Sequence, residues 1–239
     1  MSSSIEVPGI LNTPELGSAA RIPLWVKLAY TAFVAVLVPY YWHSYGPTNF
    51  LYYCDVALLL TLVALWLGSS LLASMSAVGI LLPQSLWMAD FFCEVGGVHL
   101  TGMTSYMFNP ALPLLTRGLS FFHFWLPLFL LWLLWRLGYD GRALPAWSVL
   151  AWGLMLVCFF LMPAPPAPAD NPNLPVNINY VYGLSDKHPQ EWLPEWQYFS
   201  LLLVGLPLGM FLPTHLFLRQ VYRPAHGRRR VTASAISTK

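Results

Sequence analysis

Long, continuous runs of apolar residues alternate along the chain with short polar stretches. Six runs are long enough, or nearly so, to cross about 30 Å of hydrocarbon as a helix, at 24–42, 50–72, 73–92, 118–137, 146–163 and 196–218. The runs are unbroken and lack the apolar–polar alternation of barrel strands. The pattern therefore predicts an all-α fold, a polytopic membrane helical bundle of about six transmembrane helices. We place the division between the second and third runs near Ser74, where they meet without a charged residue.

The composition excludes an ordinary water-soluble domain. Of the 239 residues 57% are hydrophobic and 9% are charged, whereas soluble domains carry about 25% charged residues. We predict three parts: a cytoplasmic N-terminal segment at 1–23, a transmembrane helical bundle at 24–218 and a basic cytoplasmic tail at 219–239. The first of these has no basic start and no apolar core, so we predict no cleavable signal peptide.

Lysine and arginine are distributed unevenly between the two ends of the predicted bundle. If both termini are cytoplasmic, ten of the 12 basic residues lie on the cytoplasmic side: Arg21, Lys27, Arg136, Arg142, Arg219, Arg223, Arg228, Arg229, Arg230 and Lys239. Only Arg117 and Lys187 lie opposite. This bias predicts a multi-pass protein of the cell membrane with both termini cytoplasmic. It also accounts for the basic tail, so we predict no nucleic-acid partner.

Four polar side chains interrupt the apolar runs: Cys54, Asp55, Asp90 and His123. In the predicted topology each lies near the outer end of its helix, and all four fall within roughly 8 Å of the outer boundary. An Asp at the centre of a membrane helix costs roughly 2.5–3.5 kcal/mol, so such groups usually face a cavity or a partner. The four residues therefore predict a shared polar site in the outer half of the bundle.

A thiol, an imidazole and a carboxylate can together perform nucleophilic catalysis. Cys54 is the candidate nucleophile and His123 the base that activates it. Asp55 or Asp90 is the candidate for the group that orients the ring. Other roles stay open: Cys54 can be a structural thiol or form a disulfide with Cys93. His123 can instead tie helices together through a hydrogen bond to Asp90 or to a loop carbonyl.

The histidines give no pattern typical of a metal or haem site. The sequence has no H-x-x-x-H or His–Glu spacing, and the outer histidines are spread over different segments. It also has no phosphate-binding glycine loop and no nucleotide fingerprint. The sequence therefore predicts no metal and no cofactor.

Three segments, in this order, resemble the YwaF-type bacterial integral membrane proteins. They are FLYYCDVALLLTLVALWLG, SFFHFWLPLFLLWLLW and VNINYVYGL. More distantly, the chain is similar to eukaryotic membrane acyltransferases and androgen-induced lipid hydrolases, which pair a Cys or Thr nucleophile with a membrane histidine. The resemblance implies an acyl-transfer enzyme of lipids in which Cys54 matches the nucleophile and His123 the base. Val181 stands in place of Met in the family's Asn-Tyr-Met-Tyr segment, and Tyr52 stands where the family often has His.

The resulting hypothesis is a lipid acyl hydrolase or acyltransferase that acts at the outer membrane face, with membrane lipids as its partners. Arg117 would hold a phosphate head group. Asn177, Asn179 and Tyr180, in the long outer loop, would donate hydrogen bonds to the developing oxyanion.

The alternative is a non-catalytic membrane protein, a small transporter or an assembly partner, in which the polar layer is structural. Gly205 and Gly209 form a G-x-x-x-G pair on the last run, which permits close helix contact. A homo-oligomer or a membrane-protein partner therefore stays open.

Overall fold

The computed structural model describes residues 22–172 and 174–222. Its helices are α1 (Leu24–Tyr45), α2 (Tyr53–Leu67), α3 (Ser70–Val95), α4 (Leu114–Ser120), α5 (Phe122–Leu137), α6 (Ala143–Leu161), α7 (Glu195–Leu206) and α8 (Leu212–Val221). Short 3₁₀ helices occupy Pro47–Leu51, Ser105–Phe108 and Ile178–Tyr180, and a π-helical turn, Pro207–Phe211, joins α7 to α8. The described residues contain no strand, so the predicted all-α bundle is confirmed. Most of the predicted segments 1–23 and 219–239 lies outside the described residues.

In the part of the chain that the structure describes, five helical stretches are long and apolar enough to cross a membrane: Leu24–Tyr45, Ser70–Val95, Leu114–Leu137, Ala143–Leu161 and Glu195–Val221. The sixth predicted span is α2, which is apolar but only 15 residues long. At 1.5 Å per residue α2 measures about 22 Å, which is less than the roughly 30 Å of a hydrocarbon core. The chain is thus a multi-pass helical bundle with one short helix.

The predicted division near Ser74 is wrong, because the turn between α2 and α3 lies earlier in the chain. Gly68 ends α2 in the left-handed conformation (φ +63°), which glycine adopts without a steric penalty. Ser69 then caps α3, since its Oγ accepts a hydrogen bond from the backbone N–H of Leu72 (3.3 Å). Ser74 itself is buried in the first turns of α3.

Helix α3 lies at the centre of the bundle, in contact with α2, α5 and α6. Every residue from 73 to 80 is buried, so this part of α3 is covered on all sides. Gly79 is required for that packing, because a Cβ at this position would overlap the indole ring of Trp147 on α6. The buried ring of Trp147 therefore fills the space that the glycine leaves.

The end of the bundle at the Gly68 turn is called the inner end and the opposite one the outer end, as names that assign no side of a membrane. Because α2 and α3 meet at the Gly68 turn, their different lengths separate their outer ends. Helix α3 has 26 residues and is about 39 Å long, so α2 begins about 17 Å short of the outer end of α3. The 3₁₀ helices Pro47–Leu51 and Ile178–Tyr180 contact each other beside the start of α2. Non-helical backbone at membrane depth is tolerated where protein covers it, and Ile178 and Asn179 are indeed buried.

Within the described residues, the G-x-x-x-G pair makes no close contact with another helix. No atom of the described residues lies within 4 Å of the position that a Cβ would take at Gly205 or Gly209. Both glycines therefore leave an open face on the last span.

Candidate functional site

Cys54 and Asp55 lie in the first turn of α2. Cys54 is half-buried and carries a free thiol. Asp55 is only 3% exposed, and its Oδ2 accepts a hydrogen bond from Nδ2 of Asn49 (3.2 Å). The other oxygen, Oδ1, has no hydrogen-bond partner among the described residues. Cys93 also carries a free thiol, so the two cysteines are not joined by a disulfide in this structure.

His123 lies in the first turn of α5, where one ring nitrogen is fixed by the backbone. Its Nδ1 is 2.7 Å from the carbonyl oxygen of Ser120. A carbonyl can only accept a hydrogen bond, so Nδ1 carries the proton and Nε2 of the neutral ring has the free lone pair. The ring stacks on the indole of Trp87, with 5.3 Å between centroids. Because Ser120 lies only three residues before His123, this contact is local and is not the tie between helices that the sequence left open.

Asp90 does not contact His123, because the loop after α3 uses both of its oxygens. Oδ1 accepts hydrogen bonds from the backbone N–H and hydroxyl of Thr101 and from the N–H of Gly102 (2.6–3.1 Å). Oδ2 accepts from the N–H and hydroxyl of Thr104 (2.9 and 2.6 Å). Asp90 is fully buried, so it holds the loop against the outer end of α3 and does not orient the imidazole.

The prediction that all four groups lie at one level needs correction. Asp55 lies 12 residues before Leu67, and Asp90 lies 20 residues after Ser70, which places them about 18 and 30 Å from the inner turn. His123 stacks on Trp87, which lies 17 residues after Ser70 and so about 26 Å from the same turn. Asp90 is thus further out than the other groups, because α2 begins inside the bundle and not at its outer boundary.

Two tyrosines from the outer loops lie near the Cys54 thiol. Burial raises the pKa of the Tyr106 phenol, and electrostatic interaction with Cys54 adds to the rise. Partial burial raises the pKa of Tyr180 to about 12, and interaction with Asp186 and with Cys54 contributes. Tyr106 also interacts with the indole of Trp87, on which His123 stacks. Within the described residues, no hydrogen bond joins Cys54 directly to His123.

Asn177 has a structural role in the second outer loop. Its Nδ2 donates to the carbonyl oxygens of Gly183 and Ser185 (2.9 and 3.1 Å), and its Oδ1 accepts from the N–H of Tyr182 (2.9 Å). Both amide hydrogens are therefore used within the loop. Asn177 itself adopts a left-handed conformation (φ 50°), which Asn tolerates better than most residues.

Asn179 connects the same loop to α2. Its Oδ1 accepts a hydrogen bond from the N–H of Tyr53 (2.9 Å), and its Nδ2 donates to the carbonyl of Leu51 (2.9 Å) and to Sγ of Cys158 (3.6 Å). The residue before α2, Tyr52, provides no side-chain cap. Asn179 thus satisfies a free N–H at the start of α2 from a distant part of the chain.

Tyr180 is partly exposed, and Arg117 has one side-chain nitrogen without a hydrogen-bond partner among the described residues. Tyr180 is 39% exposed and left-handed (φ 61°), a conformation that costs of order 1–3 kcal/mol in a non-glycine residue and is often found at functional sites. The guanidinium of Arg117 donates from Nη1 to the carbonyl of Met107 (3.3 Å), while its buried Nε has no partner among the described residues.

Gln84 and the hydroxyl pairs between α1 and α4 are polar features of the bundle that were not predicted from the sequence. Gln84 is buried on α3, and neither polar atom of its side chain has a partner among the described residues. Tyr41 shares a hydrogen bond of 2.8 Å with Ser120, the residue that fixes His123. In the sequence, Gln84 is recognisable only as a polar residue within an apolar run.

Comparison with known proteins gives no match, whether to a family model, to a curated protein or to a solved structure.

Proposed function

We propose that this multi-pass membrane protein transfers or hydrolyses acyl groups of membrane lipids, with Cys54 as the nucleophile and His123 as the general base. The observation that carries the proposal is the arrangement of His123. Its Nδ1 is bonded to the Ser120 carbonyl, which leaves Nε2 as a proton acceptor on a ring held against Trp87. Fixing one ring nitrogen so that the other can act as a base is the usual arrangement in nucleophilic catalysis.

The Cys54 thiol is available for this reaction. It is free, half-buried and in the first turn of a helix. The phenols of Tyr106 and Tyr180, one in each long outer loop, interact electrostatically with it. In a site away from bulk water, hydrogen bonds and dipoles act more strongly on the charge that develops during the reaction.

The proposed chemistry has two halves. Nε2 of His123 takes the proton from Sγ of Cys54, and the thiolate attacks the ester carbonyl of the lipid. The carbon–oxygen ester bond then breaks, and the departing alkoxide takes the proton from His123. In the second half, water or a second lipid hydroxyl attacks the thioester, His123 accepts its proton, and the thiolate leaves and is reprotonated.

The other predicted site residues divide into three groups under this proposal. Asp90, Asn177 and Asn179 use their polar atoms to hold the outer loops in place. Arg117 and Tyr180, which keep part of their capacity free, are the residues assigned to the lipid head group. Asp55 is assigned to the polar surroundings of the thiol, and the backbone carbonyl of Ser120 takes over the orienting role.

We propose the orientation indicated by the basic residues, with both termini cytoplasmic. Ten of the 12 lysines and arginines then lie on the cytoplasmic side, as the positive-inside rule requires. In this orientation the loops around Cys54 face away from the cytoplasm, and the lipid substrate comes from the outer leaflet of the membrane.

The test uses the purified protein in lipid nanodiscs and p-nitrophenyl octanoate as the acyl donor. We expect Cys54→Ala to abolish turnover, and His123→Gln to reduce it by about 10²–10⁴-fold, the usual contribution of a positioned general base. Cys93→Ala and His99→Gln change the same residue types in the outer region and should keep wild-type turnover. Wild-type turnover by Cys54→Ala would rule out Cys54 as the nucleophile. No turnover by the wild-type protein would favour the non-catalytic alternative, in which the polar layer only holds the loops.

A further inference from the structure

Gln84 is a buried polar group whose hydrogen-bonding capacity is unused. It is 3% exposed, and neither Nε2 nor Oε1 has a partner among the described residues. Burying an amide without hydrogen bonds is unfavourable, and such groups in a folded protein need a specific explanation. A substrate group that binds only during the reaction is one such explanation.

Gln84 lies about one helical turn further along α3 than the position opposite the proposed nucleophile. The hydroxyl of Ser76 on α3 donates a hydrogen bond to the carbonyl of Ala57 on α2 (3.2 Å), which fixes the register of these two packed helices. In this register Cys54 is opposite residue 79, and the helical rise places Gln84 about 7 Å further from the turn. Side chains on a helix tilt towards its N-terminus, so in this antiparallel pair Cys54 and Gln84 lean towards each other.

Gln84 is also one turn from Trp87, the residue of α3 that contacts the proposed base. Residues three apart on a helix are neighbours on its surface, and Gln84 lies on the inner side of Trp87. The indole of Trp87 stacks on the ring of His123. Along the bundle, Gln84 therefore lies between the level of Cys54 and that of His123.

We propose that Nε2 of Gln84 donates a hydrogen bond to the oxyanion formed when Cys54 attacks the ester carbonyl. Asn177 and Asn179, predicted for this role from the sequence, have both amide hydrogens bonded within the protein. Among the described residues, Gln84 has the only buried side-chain amide without a partner. The inference rests on the proposed function and adds a catalytic residue to it.

Gln84 neither takes up nor releases a proton when Cys54 attacks the ester. The thiolate forms the carbon–sulfur bond, the carbonyl π electrons pass to oxygen, and the oxyanion accepts the N–H of Gln84. When the intermediate collapses, the carbonyl re-forms and the alkoxide leaves with the proton held by His123. Preorganised donors of this kind act mainly on the transition state.

The test is the rate of acylation of Cys54 by p-nitrophenyl octanoate, followed by intact mass in nanodiscs. Gln84→Met keeps the volume and removes the donor, so we expect acylation to slow by about 10²–10³-fold. Because the variant also removes an unsatisfied buried amide, the midpoint of unfolding should stay unchanged or rise. Ser85→Ala, at the exposed neighbouring position on α3, should match the wild type in both measurements.

Each contrary result has a defined meaning. Wild-type acylation of Gln84→Met would overturn the assignment and leave the Cys54 reaction standing. A clear fall in the unfolding midpoint would show that Gln84 has a structural partner, which also overturns it. If wild-type protein forms no adduct at Cys54, the proposed function fails, and the role of Gln84 fails with it.

Discussion

Two buried polar residues on α3 differ in how the protein uses their hydrogen-bonding capacity. Asp90 accepts five hydrogen bonds from the loop that follows the helix, whereas Gln84 makes none among the described residues. A buried carboxylate with all of its partners supplied by the chain is typical of a structural residue. A buried amide without partners indicates a binding role.

Replacement of Asp90 by Ala should therefore weaken the fold. The change removes the acceptor of three backbone N–H groups and two hydroxyls, and hydrogen bonds to charged groups contribute about 1.5–3 kcal/mol each, although not additively. We expect the free energy of unfolding to fall by about 2–4 kcal/mol and the amides of residues 101, 102 and 104 to exchange faster with deuterium. The measurements are an unfolding titration with sodium dodecyl sulfate and hydrogen exchange read by mass spectrometry.

The control for this prediction is Asp170→Ala, which removes an exposed carboxylate from the other long loop and should leave both measurements unchanged. Equal stability of Asp90→Ala and wild type would mean that the loop does not depend on this carboxylate.

The sequence indicates candidate residues for the site but not the partners that the structure gives them. Cys54 and His123 are conspicuous because they interrupt apolar runs. The partners of Asp90 lie 11 to 14 residues away in an irregular loop, and Asn179 contacts Tyr53 across 126 residues. No periodic pattern connects such positions, so the sequence left open whether Asp55 or Asp90 orients His123, and the structure shows that Asp90 bonds the loop instead.

The apolar runs determine where the long helices of this fold lie, but small residues determine where some of those helices begin and end. The apolar runs predicted the long spans because a membrane helix needs about 20 such residues. The ends of α2 depend on other features: Gly68 and Ser69 form the inner turn, and the segment before Tyr53 folds as a 3₁₀ helix. A count of hydrophobic residues does not detect either end.

The packing of α3 against α6 can be tested by adding a methyl group at the contact. Gly79→Ala would place a methyl group in the space occupied by the indole of Trp147, and overpacking of this kind typically costs about 1–3 kcal/mol. Gly153→Ala, on α6, meets open space and should change stability by no more than about 0.5 kcal/mol. The midpoint of unfolding in sodium dodecyl sulfate is the measurement, and equal midpoints for the two variants would contradict the packing described for Trp147.

The whole molecule has a closed inner end and an irregular outer half. At the inner end, the hydroxyl of Tyr139 shares a hydrogen bond of 2.7 Å with Nδ1 of His215, and the N–H of Asp140 donates to Oγ of Ser74 (3.0 Å). These contacts join the turn between α5 and α6 to α8 and α3. In the outer half, the short α2 leaves room for loop residues at membrane depth, and there the free thiol and the imidazole are found.

The most direct test of the central claim is whether His123 activates Cys54. The measurement is the rate at which iodoacetamide alkylates each cysteine in nanodiscs, mapped by peptide mass spectrometry in the wild type and in His123→Gln. We expect the variant to slow alkylation of Cys54 by about 10²-fold, the lower end of the range for a general base, and to leave Cys93 unaffected. Equal rates at Cys54 in the two proteins would contradict the proposed pair.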